Sequence, residues 1–213
     1  SIIGIYDDEK ITHNYQENLV DICPVGAFTS KSFRFKQRVW FLKEKEAICP
    51  GCSTGCAIKV HAKPETRQYF RIKPRFDEQN NGHWMCDEGR KMLDHLQTKD
   101  RLDTSFIKDK QKTLNVSVAD GIKDLTNKIK TSKPEEIALL VSAHYTCEEY
   151  ESLFSFFVKD VGVKNIFQWR QQDEDINEFD KILLRGDRSP NTAGLQKILK
   201  KYSVLKKSIK NEF

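Results

Sequence analysis

The stretch EAICPGCSTGCAIKV, residues 46–60, holds Cys49, Cys52 and Cys56 within eight positions, and Cys86 follows from a separate segment. Together they form C-x2-C-x3-C-x29-C. Three thiols on one tight loop and a fourth from elsewhere are a natural way to build a four-thiolate cage. The chain visits the site, makes an excursion and returns. Gly51 and Gly55 lie between the ligands and Gly89 lies beyond the fourth; glycine reaches the backbone conformations that let such a loop curl inward. Curled loops also aim successive N–H groups at bound sulfur. A disulfide framework explains the cluster poorly, because the chain opens on no secretory signal and is too large to need staples. Structural zinc favours two separate C-x2-4-C knuckles, whereas cubane clusters commonly draw on one short cysteine run plus a distant partner. Spacing therefore favours [4Fe–4S]. His83, three positions before Cys86, keeps a mixed zinc site open as the alternative.

Two of the six cysteines stand outside this set. Cys23 begins CPVGA, and a Cys-Pro ending closes the ligand run of bacterial ferredoxins. By itself, with no companion upstream, it reads as a small buried hydrophobe at a turn. Cys147 opens a helical stretch and reads as ordinary packing.

The remaining composition excludes several classes. Lysine and arginine number 36 against 31 acidic residues, a formal charge of +5 interspersed along 213 residues. That balance lacks the concentrated basic stripe of a dedicated nucleic-acid binder. No apolar run approaches the ~18 residues of a membrane span. The five histidines are scattered, and no Ser/His/Asp or Cys/His arrangement suggests nucleophilic catalysis. Neither G-x-G-x-x-G nor a Walker loop is present for NADH or ATP. The first residues, SIIGIYDDEK, lack both an initiating methionine and signal-peptide features, so Ser1 is expected to be a cut end.

The chain reads as two parts. Residues 1–35 carry extended character near Ile2–Tyr6 and a turn-rich ICPVGAFTSKS. Residues 36–100 contain strand-like RVWFL (38–42), CAIKVHA (56–62) and RQYFRIK (67–73), with KPET as a turn. The second half of MCDEGRKMLDHLQ reads as helix. Residues 101–116 are charged and weakly patterned, a candidate linker. Beyond them Val118, Ile122, Leu125 and Ile129 mark one helix face. EIALLVSA (136–143), KNIFQW and DKILLRG (180–186) read as strands alternating with helices over 147–161 and 192–201. That alternation predicts a layered α/β unit over 117–213. The expected fold class is α+β and α/β: a small β-rich four-cysteine domain, then a partial α/β domain.

The run NLVDICPVGAFTSKSFRFKQRVWFLKEKEAICPGCSTGCAIKV resembles the large iron–sulfur subunit of bacterial respiratory complex I, the NADH:quinone oxidoreductase. MCDEGR fits the place of that family's last cysteine ligand, and LLRGDRSPNTAGL resembles part of its later α/β domain, which is similar to molybdopterin oxidoreductases. The resemblance implies that Cys49, Cys52, Cys56 and Cys86 hold a [4Fe–4S] cluster off the main electron route. It implies that Cys23 is the fourth ligand of a second [4Fe–4S] cluster on that route, its partner ligands lying in a ferredoxin-like region before Ser1. Residues 1–35 would then be the tail of that region. In molybdenum enzymes a lysine typically follows the last cluster cysteine by two positions; Glu88 stands there, which argues for a structural remnant without pterin. The implied function is electron transfer and scaffolding within complex I. NADH, FMN and quinone are expected only on partner subunits, the other peripheral-arm subunits are the expected partners, and the expected location is peripheral, on the cytoplasmic side of the bacterial inner membrane. Lys59, Arg90 and Lys91 are candidates to tune the cluster from nearby, or else plain surface charges. The alternatives are a zinc-stabilised nucleic-acid-binding module and a fragment of an iron–sulfur molybdoenzyme such as an NAD-linked formate dehydrogenase.

Overall fold

The computed structural model describes residues 11–66, 68–109, 112–170, 175–203 and 207–208; the extended character read near Ile2–Tyr6 falls outside them. The chain divides into two units. The first comprises residues 1–98 together with 177–186, and the second comprises 99–176 together with 187–213.

The first unit is built on a three-stranded antiparallel sheet, β1 (Lys43–Ile48), β2 (Ala57–Lys63) and β3 (Gln68–Pro74), in that spatial order. Side chains alternate between faces, and the register decides which face is which. Ala47 opposes Ile58, and Val60 opposes Ile72. These residues join Met85, Leu93 and Leu183 in an apolar cluster that also contains Cys49 and Cys56. The other face carries a charged row in which Glu44, His61 and Arg71 lie opposite one another. Two helices frame the sheet, α1 (Glu17–Ile22) and α2 (Asp87–Leu96). The chain returns to this unit at residues 177–186. There Tyr15 donates a hydrogen bond to Asp180 and accepts from the amides of Leu183 and Leu184, both at 3.1 Å.

RVWFL, expected as a strand, forms instead a single 3-10 turn at Val39–Phe41. The strand falls just after it, on KEKEAI. Four charges in a row show no strand pattern, but pairing with β2 along six residues overrides local propensity. DKILLRG likewise forms no strand of its own: it makes one isolated bridge, Phe179 to Arg185, around Asp180, whose carboxylate gathers the amides of residues 182–184.

The second unit opens with an antiparallel hairpin, β4 (Ser105–Asp109) and β5 (Lys112–Val116), where the sequence suggested a linker. Helix α3 (Val118–Thr131) follows, started by Ser117, whose hydroxyl accepts from the Asp120 amide at 3.1 Å. A parallel sheet comes next, in the order β6 (Ala138–Val141), β7 (Asn165–Gln168), β8 (Lys207–Ser208). Its crossovers run through α4 (Cys147–Phe154), extended by one π-helical stretch to Asp160, and α5 (Thr192–Lys201). Val141, Ile166, Tyr150, Phe154, Leu195 and Ile198 form the core of this unit. The stripe Val118, Ile122, Leu125 on α3 has helical spacing as expected, yet all three side chains are exposed. Among the described residues no helix is long and apolar enough to cross a membrane.

Candidate metal centre

The hairpin between β1 and β2 is the ligand loop. Cys49 follows the last residue of β1, and Cys56 precedes the first residue of β2. The loop closes on itself through the Cys49 amide, which donates to the Cys56 carbonyl at 2.8 Å, and the Gly55 amide, which donates to the Cys52 carbonyl at 3.2 Å. Gly55 sits at φ +61°, a left-handed conformation that costs other residues energy. Gly51, expected to serve the same way, does not adopt that conformation; a side chain there would touch Cys49 Sγ at 3.5 Å.

Cys86 arrives from the other side as the N-cap of α2, its sulfur accepting from the Gly89 amide at 3.4 Å. A side chain at Gly89 would meet Met85 Cε at 2.7 Å and Cys49 Sγ at 3.0 Å, so the helix start presses directly on the ligand loop. Asn81 organises the approach. Its Oδ1 accepts from the Ala57 amide at 2.8 Å, and its Nδ2 donates to the carbonyls of Trp84 at 3.0 Å and Arg75 at 3.2 Å. One buried amide thus ties the start of β2 to the segment that delivers Cys86.

All four thiols are buried, between 4% and 6% exposed. Burial pushes the Cys49 thiol up to about 11 and the Cys56 thiol up to about 12, and it raises Cys86 as well. Each of these three also feels charge on other members of the set, Cys56 feeling all of Cys49, Cys52 and Cys86. Such mutual destabilisation of thiolates is what a cationic metal relieves, and metal binding at buried thiols releases protons. Yet among the described residues no three His, Cys, Asp or Glu side chains converge as ligands of one metal ion. His83 stays out of the set: it is exposed and stacks on Phe76, ring centroids 4.5 Å apart.

The basic residues near the ligands in sequence point elsewhere. Lys59 pairs with Glu44 at 3.0 Å on the charged face of the sheet. Arg90 donates to Asn18 Oδ1 at 2.6 Å and Asp21 Oδ2 at 2.7 Å, and Lys91 is exposed. Cys147 is exposed rather than packed, 3.6 Å from the Asn191 amide nitrogen.

Cys23 ends α1 and lies outside the four-thiol set. Backbone amides of Phe28, Ala27, Val25 and Gly26 aim at its sulfur and hold its pKa below the ordinary thiol value, Phe28 contributing most. The sulfur is partly exposed and faced by several backbone donors.

Sequence reasoning missed how the two cysteine regions are joined. The Asp87 carboxylate accepts from the amides of Gln16 and Glu17, both at 3.1 Å, at the start of α1. Asn18 donates to the Met85 carbonyl at 2.9 Å and accepts from the Met85 amide at 3.3 Å. Asp21 is held by both Arg90 and, at 3.0 Å, Lys73. So the helix that ends at Cys23 is clamped to the helix that begins at Cys86. The only sequence trace of this was an asparagine and an aspartate, Asn18 and Asp87, at positions that prove 6% and 4% exposed. The return segment was also missed. Leu183 enters the apolar cluster with Cys49 and Cys56, and Thr54, inside the ligand loop, donates to its carbonyl.

Residues 42–98 match the molybdopterin oxidoreductase Fe4S4 domain family. The NADH-quinone oxidoreductase G subunit of Rickettsia bellii is 31% identical over 199 residues, covering 90% of this chain. The mitochondrial NADH dehydrogenase [ubiquinone] iron-sulfur protein 1 of Solanum tuberosum is 34% identical over 167 residues, covering 78% of it. The mitochondrial NADH-ubiquinone oxidoreductase 78 kDa subunit of Candida albicans is 29% identical over 182 residues, covering 84%. The chain spans about a quarter of the length of these relatives, 27%, 22% and 24%.

Proposed function

We propose that this chain, a relative of the iron–sulfur subunits of NADH-quinone oxidoreductase along nine-tenths of its length, serves as an electron-transfer and scaffolding part of such a complex. Cys49, Cys52, Cys56 and Cys86 hold a [4Fe–4S] cluster, and Cys23 supplies one ligand to a second. The observation that carries this reading is the set of four buried, electrostatically coupled thiols from two segments inside a region that matches an Fe4S4 domain.

When bound, the cluster supplies one-electron redox chemistry at a potential set by hydrogen bonds, charge and exposure. The chain's own residues set those terms. The ligand loop and Gly89 direct amides at sulfur. Met85, Ile58, Leu93 and Leu183 exclude water. Structural zinc fits less well, because it favours two separate C-x2-4-C knuckles and here the fourth cysteine, Cys86, stands alone. NADH, FMN and quinone belong to partner subunits of the peripheral arm, and the chain works at the cytoplasmic side of the membrane without inserting.

Anaerobic purification with iron, sulfide and zinc analysis tests the reading. Four irons and four sulfides per chain, with an EPR signal on reduction, are expected of a full cubane. Stoichiometric zinc with no visible absorbance would sink it.

A further inference from the structure

The first unit contains a cavity of about 890 Å³ that the four-thiol centre does not use. It lies among helix α1 with Cys23 and the loop after it, strand β3 and helix α2. Its size falls within the few hundred to about 1,000 Å³ typical of small-molecule sites. Three separate segments bring cations to its walls: Lys31, Arg34 and Lys36 from the loop, Arg71 from β3, and Lys91 from α2.

With Lys73 and Arg90 the walls carry seven cations against four carboxylates, Glu17, Asp21, Asp87 and Asp94, so a cationic excess remains. Asp21 is occupied by Lys73 and Arg90. Asp87 is occupied by two backbone amides, and Glu17 accepts from Ser30 at 2.9 Å. Arg71 is the most telling member. Burial is the main cause lowering its pKa, its Nε is buried with no hydrogen-bond partner among the described residues, and its guanidinium lies 4.5 Å from the Phe33 ring centroid. The neighbouring carboxylates of Asp21 and Glu44 act on it only at a distance. A half-buried guanidinium with no bonded counter-charge among the described residues is costly to keep, and its place over the Phe33 ring helps hold it as an anion donor.

We infer that this cavity binds a phosphate-bearing small molecule of nucleotide size, its phosphates on Arg71 and the loop cations and its ring against the Phe28 wall. Guanidinium and ammonium donors on several sides suit a polyanion better than a single carboxylate. The volume exceeds what a lone inorganic ion would fill. Cys23 stands on one wall, so the inference is independent of the four-thiol centre and is tested on the chain without a second cluster at Cys23.

Isothermal titration of the full chain with ADP, inorganic pyrophosphate and adenosine tests it. ADP is expected to bind below about millimolar Kd, with affinity falling as salt rises, pyrophosphate more weakly, and adenosine at least about tenfold more weakly than ADP. Arg71→Gln should weaken ADP about tenfold or more. Lys36→Gln alters an exposed loop residue without disturbing the fold and should weaken it severalfold, while Lys59→Gln, outside the cavity, should leave it unchanged. Circular dichroism checks that each variant is folded. Absence of ADP binding overturns the proposal, as does ADP binding indifferent to both Arg71→Gln and Lys36→Gln. Adenosine binding as tightly as ADP also overturns it, because the phosphates would then contribute nothing.

Discussion

Cys56 is buried beside the other three thiols, so Cys56→Ser should remove most of the iron and sulfide from the anaerobically isolated chain. Cys23 lies outside that set, and Cys23→Ser should leave both near the unsubstituted level. Metal analysis paired with the visible spectrum decides it, and equal loss in both variants would mean the ligands are assigned wrongly. His61 makes a second demand at this scale. Its side chain is 2% exposed, neither ring nitrogen has a hydrogen-bond partner among the described residues, and Nε2 lies 3.4 Å from Glu44 Oε1. Burial, then the cations of Arg71, Lys73 and Lys59, hold its pKa down from 6.5 to about 4, with Glu44 opposing. The unfolded chain therefore takes up a proton as pH falls below about 6.5, whereas the folded chain does so only near 4. Stability should be level with respect to this group above pH 6.5 and decline from there towards 4, by on the order of 2–3 kcal/mol. Urea midpoints across that range, compared with His61→Gln, check it; a His61→Gln profile as steep as the parent's would refute it.

At the scale of elements, what could be read from the chain was what repeats or spaces itself locally. The spacing of Cys49, Cys52, Cys56 and Cys86 was visible because metal ligation constrains sequence directly. Helix α5 was visible because Leu195, Ile198 and Leu199 recur with helical period. Strand β1 was hidden, since KEKEAI is specified by its partner rather than by its own residues. The join between α1 and α2 was hidden for a stronger reason. Asn18 and Met85 are 67 positions apart, and nothing local to either announces the other. Asn18→Ala tests the weight of that join. It strands both polar groups of Met85 and a donor of Arg90, and buried groups left without partners cost about 1–3 kcal/mol each. A fall of roughly 2–4 kcal/mol in unfolding free energy is expected, with Asn18→Asp recovering part of it through Arg90. Denaturant titration gives the number, and a change within about 0.5 kcal/mol would show that the clamp contributes nothing.

For the whole molecule, the division of the chain at residue 98 in sequence is not its division in space. Leu183 is 7% exposed within the cluster around Cys49 and Cys56, although it follows most of the second unit in sequence. Leu183→Ala should lower the stability of the first unit by about 2–4 kcal/mol, the usual range for a buried leucine. Hydrogen exchange of the β1–β3 amides should report it, while amides of β6 and β7 stay unchanged. Equal loss of protection in both sheets would contradict the separation into units. Similarity to the Rickettsia bellii relative extends over 90% of the chain and so reaches into both units.

The return of residues 177–186 also has a temporal side. All four candidate ligands have left the ribosome's catalytic centre once residue 86 is made, but the leucine that closes over them is 97 residues further on, at position 183. At synthesis rates of about 5–20 residues per second, that separation lasts roughly 5–20 s. For that interval the nascent hairpin presents its thiols without their last apolar cover. A cluster-delivery partner would meet an open site during synthesis and a closed one afterwards.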